Sequence, residues 1–174
     1  MTEIQDLFDK KLAEAQEEYG VELHTKDRKW TTLWKFIHGF LRLVSGGKLD
    51  TFYDGYITTV GNKIFFYAGW ERHRVSPIDY VILCHELKHV EQFDKYTTGL
   101  MALLYLLFPL PIGLAYFRYL FERDAYLESY RASLEVNLVP NVSHYIDALT
   151  GSAYLWAWPF RKYVRRWFYE NCPV

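Results

Sequence analysis

The stretch VILCHELKHVEQ, residues 81–92, decides how the rest of the chain is interpreted. On a helix, residues four apart lie one turn above each other, so His85 and His89 project from one face and can bind one metal ion. Glu86 lies at the edge of that face, where its carboxylate can take a proton from a metal-activated water without being a ligand. The spacing therefore predicts a metal-binding helix that carries its own proton acceptor. Packing or hydrogen bonding within a core is the competing interpretation of the two histidines.

The residues before this stretch predict where the helix begins. Ser76 is followed by Pro77 and, three residues later, by Asp79, which together give an N-cap, a proline at the first helical position and a capping box. One stripe at helical spacing follows and comprises Ile78, Ile82, His85, His89 and Gln92. Because the histidines share this stripe with Ile78 and Ile82, we expect them to point inward.

The composition bounds the class of protein. A length of 174 residues suits one domain, residues 1–174, with a core of its own, and an aromatic content of 19% indicates a bulky core, a membrane-facing surface or both. The formal net charge of −1 argues against a nucleic-acid partner. With two cysteines and no signal-peptide pattern, the sequence predicts a reducing, cytoplasmic setting. Cys84, beside the first histidine, is interpreted as a small apolar filler rather than a redox group.

Two helices and a hairpin are predicted before the histidines. A capping box at Thr2 and an apolar stripe predict a helix that ends at Gly20, and a second helix is expected from Thr32 to Val44. The residues of this second helix that we expect to face inward are Leu33, Ile37, Phe40, Leu41 and Val44. Residues 56–60 and 63–67 predict two strands joined by a tight turn at Gly61 and Asn62. This hairpin either offers an edge strand to an extended substrate or only covers the helix.

The stretch from Thr97 to Phe117 carries no charged residue. As one helix it would be about 30 Å long, enough to cross a bilayer, but Pro109, Pro111 and Gly113 divide it into two shorter pieces. Three interpretations follow: an apolar helical hairpin in the core, a hairpin that dips into a membrane surface, and a single kinked span. The single kinked span is the least favoured, because it would place His85 and His89 about 30 Å from Glu122, which the resemblance described below makes a third ligand.

A further helix is expected from Arg118 to Leu134, with Glu122 and Ala125 on one face. The small Ala125 would let this helix approach a neighbour while Glu122 reaches across. The competing interpretation is a surface carboxylate that pairs with Arg118 one turn earlier.

The C-terminal part predicts two short helices. Residues 141–149 include His144 and Tyr145, which are either active-site donors or a packed aromatic pair. Residues 160–169 place basic side chains opposite aromatic ones, so this helix either lies on an anionic membrane surface or docks on the core.

Around these motifs, the chain resembles the gluzincin type of zinc metallopeptidase, and the uncharged stretch between them is similar to the arrangement in the CAAX prenyl protease family. The resemblance is carried by residues 85–89, Gln92 and residues 122–125. It implies one Zn²⁺ per chain, held by His85, His89 and Glu122, with Glu86 as general base and later general acid. Those families commonly have an aspartate four residues after the third ligand.

In this sequence that position is Tyr126, and Asp124 is a candidate to orient a histidine in its place. We therefore expect a mostly α-helical, zincin-like α+β fold that hydrolyses peptides or proteins, with Tyr126, His144 and Tyr145 as candidate donors to the oxyanion. Peripheral membrane contact would run through residues 97–117 and 160–169. The alternative is a non-catalytic membrane-surface or interaction protein with a structural zinc site.

Overall fold

A computed structural model describes residues 3–44, 55, 57–71, 74–97, 99–101, 104, 116–151 and 158–172. The elements are, in chain order, α1 (Glu3–Tyr19), β1 (Glu22–Thr25), α2 (Thr31–Val44), β2 (Thr58–Val60), β3 (Lys63–Phe66), α3 (Pro77–Tyr96), α4 (Tyr116–Glu135), α5 (Val142–Thr150) and α6 (Arg161–Asn171). The fold is mostly helical with one small sheet, which confirms the predicted α+β class.

The sheet has the strand order β1-β3-β2. Strands β2 and β3 form the predicted hairpin, antiparallel and in register from Val60 with Lys63, and Gly61 in their turn has a positive φ of 61°. Strand β1 is parallel to β3 and was not predicted, because its four residues, ELHT, are all half-buried and too few for an alternating pattern to stand out. Strand β2 therefore lies at one edge of the sheet.

The two faces of the sheet pack against different helices. Ile64 and Phe66 are fully buried in a core that also contains residues of α1 and α3, including Phe8 and Leu83. Phe65 points to the opposite face, as strand alternation requires, and packs against residues around the start of α2. The hairpin is thus fixed between helices on both sides.

Helix α2 turns a different side to the sheet from the one expected from the sequence. Among its described side chains, Trp34 is the buried one, with its ring 4.8 Å from that of Phe65. Leu33, which was expected to face inward, is 47% exposed. The tryptophan buries the larger apolar surface, so it takes the inward position and its neighbour is turned toward solvent. The side chains of residues 40, 41 and 44 lie outside the described part of the structure.

The start of α3 follows the predicted capping box. The Ser76 hydroxyl accepts a hydrogen bond from the backbone N–H of Asp79, and the Asp79 carboxylate accepts one from the backbone N–H of Ser76. The Trp70 indole N–H also donates to Asp79 at 3.1 Å. Ile78 is a correction to the predicted stripe: it is exposed, because Asp79 and Tyr80 take the inward positions in the first turn of the helix.

Helices α3 and α4 pack side by side and run antiparallel. Side chains early in α3 contact residues late in α4, and the order reverses along both helices. The contacts are Tyr80 with Glu135 (2.7 Å), His85 with Ser129 (3.0 Å) and Gln92 with the carbonyl of Phe121 (3.1 Å). The predicted apolar hairpin of residues 97–117 lies mostly outside the described residues. No helix in the described part of the chain has both the length and the apolar character needed to cross a bilayer.

The C-terminal helices form a second core with the first half of α4. Val164 and Phe168 of α6 are fully buried there, next to Tyr145 of α5 and Tyr119 of α4. The basic residues Arg165 and Arg166 are exposed on the outer side of α6. Helix α6 thus docks on the protein through Val164 and Phe168, whereas Phe160 and Tyr163 on the same side are exposed. A contact of this helix with a membrane stays a prediction.

Candidate metal centre

Three predicted ligands meet between α3 and α4. The Nε2 atom of His85 lies 3.5 Å from Oε2 of Glu122, and Nε2 of His89 lies 3.5 Å from Oε1 of the same carboxylate. One ligand atom from each of the three residues lies within 4.8 Å of the others, so the group could hold a metal ion. The side chains of His85 and Glu122 keep 12% and 2% of their accessible surface, so solvent reaches the cluster from the histidine side.

The distances within the cluster suit a tetrahedral metal site. Zinc bonds of about 2.0–2.1 Å at tetrahedral angles place neighbouring ligand atoms about 3.3–3.4 Å apart. The two separations of 3.5 Å are close to that spacing, although they run to different oxygens of one carboxylate, and both are long for hydrogen bonds between nitrogen and oxygen. The residues present therefore fit a metal ion with nitrogen and oxygen ligands.

The cluster concentrates opposite charges in a buried position. Burial alone would lower the pKa of His89, but the negative charges of Glu122 and Glu86 raise that pKa to about 9. Burial alone would raise the pKa of Glu122, but the charges of His89 and His85 hold it well below its usual range. Glu122 is therefore ionised, as a metal ligand must be.

Hydrogen bonds from α3 and α4 fix the orientation of both imidazole rings. Nδ1 of His85 lies 3.0 Å from the Ser129 hydroxyl, which itself donates to the carbonyl of Ala125. Nδ1 of His89 lies 2.9 Å from Oε1 of Gln92, whose amide nitrogen donates to a backbone carbonyl of α4. With Nδ1 as the donor in both rings, each Nε2 is the nitrogen that faces the cluster, and it can bind a metal once it has lost its proton.

Glu86 is buried beside the cluster but does not belong to the group of metal-binding atoms. Its Oε2 accepts a hydrogen bond of 2.6 Å from the hydroxyl of Thr59, which lies on the edge strand β2. Glu86 directly follows His85 on α3, and its negative charge also raises the pKa of His89. The arrangement holds a carboxylate in a fixed position where it can exchange a proton.

The structure arranges the three candidate oxyanion donors in a row that leads away from the cluster. The ring of Tyr126 meets that of His85 edge to face, with centroids 5.0 Å apart, and the buried Tyr145 stacks on Tyr126 at 4.8 Å. His144 is exposed on α5, with its ring 6.3 Å from that of Tyr145. Of the three, Tyr126 is the one that contacts a ligand residue.

Asp124 lies apart from the cluster. Its Oδ1 atom accepts hydrogen bonds from Nε and one terminal nitrogen of Arg123, at 2.9 and 2.6 Å, and its side chain is 39% exposed. The guanidinium of Arg123 lies 4.4 Å from the ring centre of Trp167 on α6. Asp124 thus supports the contact between α4 and α6, and the role expected for it, a hydrogen bond to a ligand histidine, is filled by Ser129 instead.

Cys84 faces away from the cluster into the core beneath α1. Burial raises the pKa of its thiol to about 11, so the group stays protonated at neutral pH. This agrees with its interpretation as a small apolar filler.

Sequence reasoning missed two supporting residues, Thr59 and Ser129, and gave Gln92 no role. Gln92 could have been found, because it lies three residues after His89 on the same helix face. Ser129 lies two turns after Glu122 on α4 and could have been found by the same spacing. Thr59 carries no local signal, because its contact depends on how the hairpin packs on α3.

No family model, no curated protein and no solved structure matches this chain. The interpretation of the site therefore depends on its own geometry.

Removal of Glu122 tests the ligand set. We expect Glu122→Ala to lower zinc affinity by more than the roughly 10- to 100-fold that loss of a supporting hydrogen bond costs, because a ligand itself is lost. Asp124→Ala should leave the affinity unchanged, because its carboxylate is paired with Arg123. Chelator competition measures both. Tight binding by Glu122→Ala together with weak binding by Asp124→Ala would assign the ligand to Asp124.

The contact between Gln92 and His89 gives a second prediction. Gln92→Ala removes the acceptor that holds the ring, so zinc affinity should fall by about 10- to 100-fold. Asp94→Ala, an exposed change on the same helix, is the matched control and should bind as the unmodified protein does. Equal affinities for the two variants would show that the amide does not orient the ligand.

Proposed function

We propose that this protein is a zinc-dependent endopeptidase of the gluzincin type, with His85, His89 and Glu122 as zinc ligands and Glu86 as general base. The observation that carries the proposal is the buried Glu86 carboxylate, held by Thr59 beside the three-residue cluster without being part of it. A carboxylate fixed at that place has no role in a site that only binds metal. It is what hydrolysis by an activated water requires.

The number of protein ligands also favours catalysis. Structural zinc sites are closed by four protein ligands, whereas catalytic sites have three and keep a position for water or substrate. Within the described residues the cluster consists of three. A structural zinc site in a non-catalytic protein is therefore the weaker alternative.

Each residue of the site has a defined part in the proposed reaction. When bound, zinc supplies a Lewis acid that polarises the scissile carbonyl and lowers the pKa of water toward about 7. Glu86 takes the proton of the attacking water and passes it to the leaving amine. Thr59 keeps the Glu86 carboxylate in one orientation, and Tyr126, which contacts His85, is the favoured donor to the oxyanion.

The edge strand β2 supports a peptide or protein as the substrate. In the described part of the chain, β2 pairs with β3 along one side. Thr59 on this strand donates a hydrogen bond to Glu86, the proposed general base. An extended peptide that adds to the other side of β2 would lie along α3 with its backbone near Glu86. Main-chain pairing of this kind recognises an extended backbone rather than particular side chains.

The first test of the proposal concerns Glu86. Glu86→Gln keeps the size of the side chain but removes the proton acceptor, so kcat for peptide hydrolysis should fall by about 100- to 10,000-fold while zinc stays bound in equimolar amount. A quenched fluorescent peptide library and metal analysis measure the two quantities. Full activity would exclude the mechanism, and loss of zinc would make Glu86 a ligand.

A second test concerns Thr59. Thr59→Val keeps the shape of the side chain but removes a hydrogen bond to a charged group, so kcat should fall about tenfold or more, with KM and zinc content nearly unchanged. Thr59→Ser restores the hydroxyl and should restore most of kcat. Thr58→Val is the matched control, because the side chain of Thr58 points to the other face of the strand. An equal loss in Thr58→Val and Thr59→Val would indicate a change in the strand rather than in Glu86.

A further inference from the structure

Helix α2 has a stripe of large apolar side chains that are exposed in the described part of the structure. Leu33, Phe36 and Leu43 are 47, 73 and 80% exposed, and Trp30, just before the helix, is 42% exposed. Spacings of three and seven residues place the three helical side chains on one side of α2. Single exposed apolar residues are normal on protein surfaces, but a continuous stripe of large ones marks a binding surface.

Helix α6 differs from α2 in that two residues of its apolar side lie in a core. It also has a basic and an aromatic side, and its Val164 and Phe168 are fully buried against α4 and α5, whereas Phe160, Tyr163 and Tyr169 are 58, 48 and 57% exposed. Helix α2 buries Trp34 against the sheet and leaves its second apolar side in solvent. Its exposed stripe is thus additional to the side that holds the helix in the fold.

The charge around the stripe is positive. Residues 27–44 contain one acidic residue, Asp27, and four basic ones, although the whole chain has a formal net charge of −1; the basic residues are Arg28, Lys29, Lys35 and Arg42. Lys29 pairs with Glu22 of β1, Arg28 lies beside Asp27, and the side chains of Lys35 and Arg42 are exposed. Large apolar side chains with cations beside them suit a lipid bilayer, whose interior is apolar and whose surface can be anionic.

We propose that α2 is a membrane-surface helix that lies in the plane of an anionic lipid bilayer. Phe36, Leu43 and Leu33 enter the boundary between headgroups and acyl chains, and the basic side chains contact lipid phosphates. A second copy of the chain suits the surface less well. A symmetric contact would bring this positively charged segment of one copy against the same segment of the other, and like charges across an interface are unfavourable.

Vesicle sedimentation tests this proposal without reference to enzymatic activity. The full-length protein should sediment with vesicles of equal parts phosphatidylglycerol and phosphatidylcholine, and much less with phosphatidylcholine alone. Phe36→Ser/Leu43→Ser should lower the partition coefficient by about tenfold or more, because two apolar side chains that would enter the bilayer are lost. Lys35→Glu should weaken binding several-fold, and more so at low ionic strength.

Matched controls separate the α2 stripe from other exposed residues. Leu134→Ser/Val139→Ser removes two exposed apolar side chains near the end of α4, and Lys10→Glu reverses an exposed charge on α1. Both should sediment as the unmodified protein does. Absence of sedimentation with anionic vesicles, or equal sedimentation of the α2 variants and their controls, would overturn the proposal. A dimer in light scattering that Phe36→Ser/Leu43→Ser converts to monomer, without lipid binding, would also overturn it and assign the stripe to self-association.

Discussion

The structure depends on a carboxylate that is almost completely buried between two imidazole rings. An ionised Glu122 in the interior is costly unless opposite charge or a metal compensates it. That requirement brings α3 and α4 together at a fixed distance, and the fully buried Ala125 one turn later leaves room for the approach. Two further polar side chains of this contact, Ser129 and Gln92, form hydrogen bonds with the imidazoles. The geometry of the candidate site is therefore also the geometry of the main helix pair.

Helix α4 contributes to two hydrophobic clusters, and Glu122 lies in the stretch that packs in the second. Ala132 in its last turn and Val136 just after it pack with α1, the sheet and α3, whereas Tyr119, Tyr126 and Tyr130 pack with α5 and α6. The two histidines belong to α3, which packs in the first cluster. Side chains on both sides of the site are thus held by packed cores rather than by loops, which limits their freedom and suits a preorganised site.

Local sequence signals predicted the parts of this protein that local interactions determine. The cap of α3, the turn of the hairpin and the spacing of His85 and His89 are contained in a few consecutive residues. The position of Glu122 near the histidines was expected from the resemblance to gluzincins, and the structure places its carboxylate 3.5 Å from both imidazoles. The hydrogen bond from Thr59 and the pairing of β1 with β3 could not be predicted, since each joins distant segments whose register is set by packing. The rotation of α2 was missed because Trp34 and Leu33 are both apolar, and burial of the larger ring against Phe65 decides between them.

The division of the ligands between two helices has a consequence for the energetics of folding. His85 and His89 are one helical turn apart and can share a metal even in a partly unfolded chain, whereas Glu122 joins them only when α4 has packed on α3. A metal at this site would therefore bind the native state more tightly than the unfolded ensemble. The difference in binding free energy would be the contribution of Glu122. By mass action, that difference raises the free energy of unfolding as free metal increases. Metal availability would then set how much of the protein persists in its folded form, as well as how much of it is active.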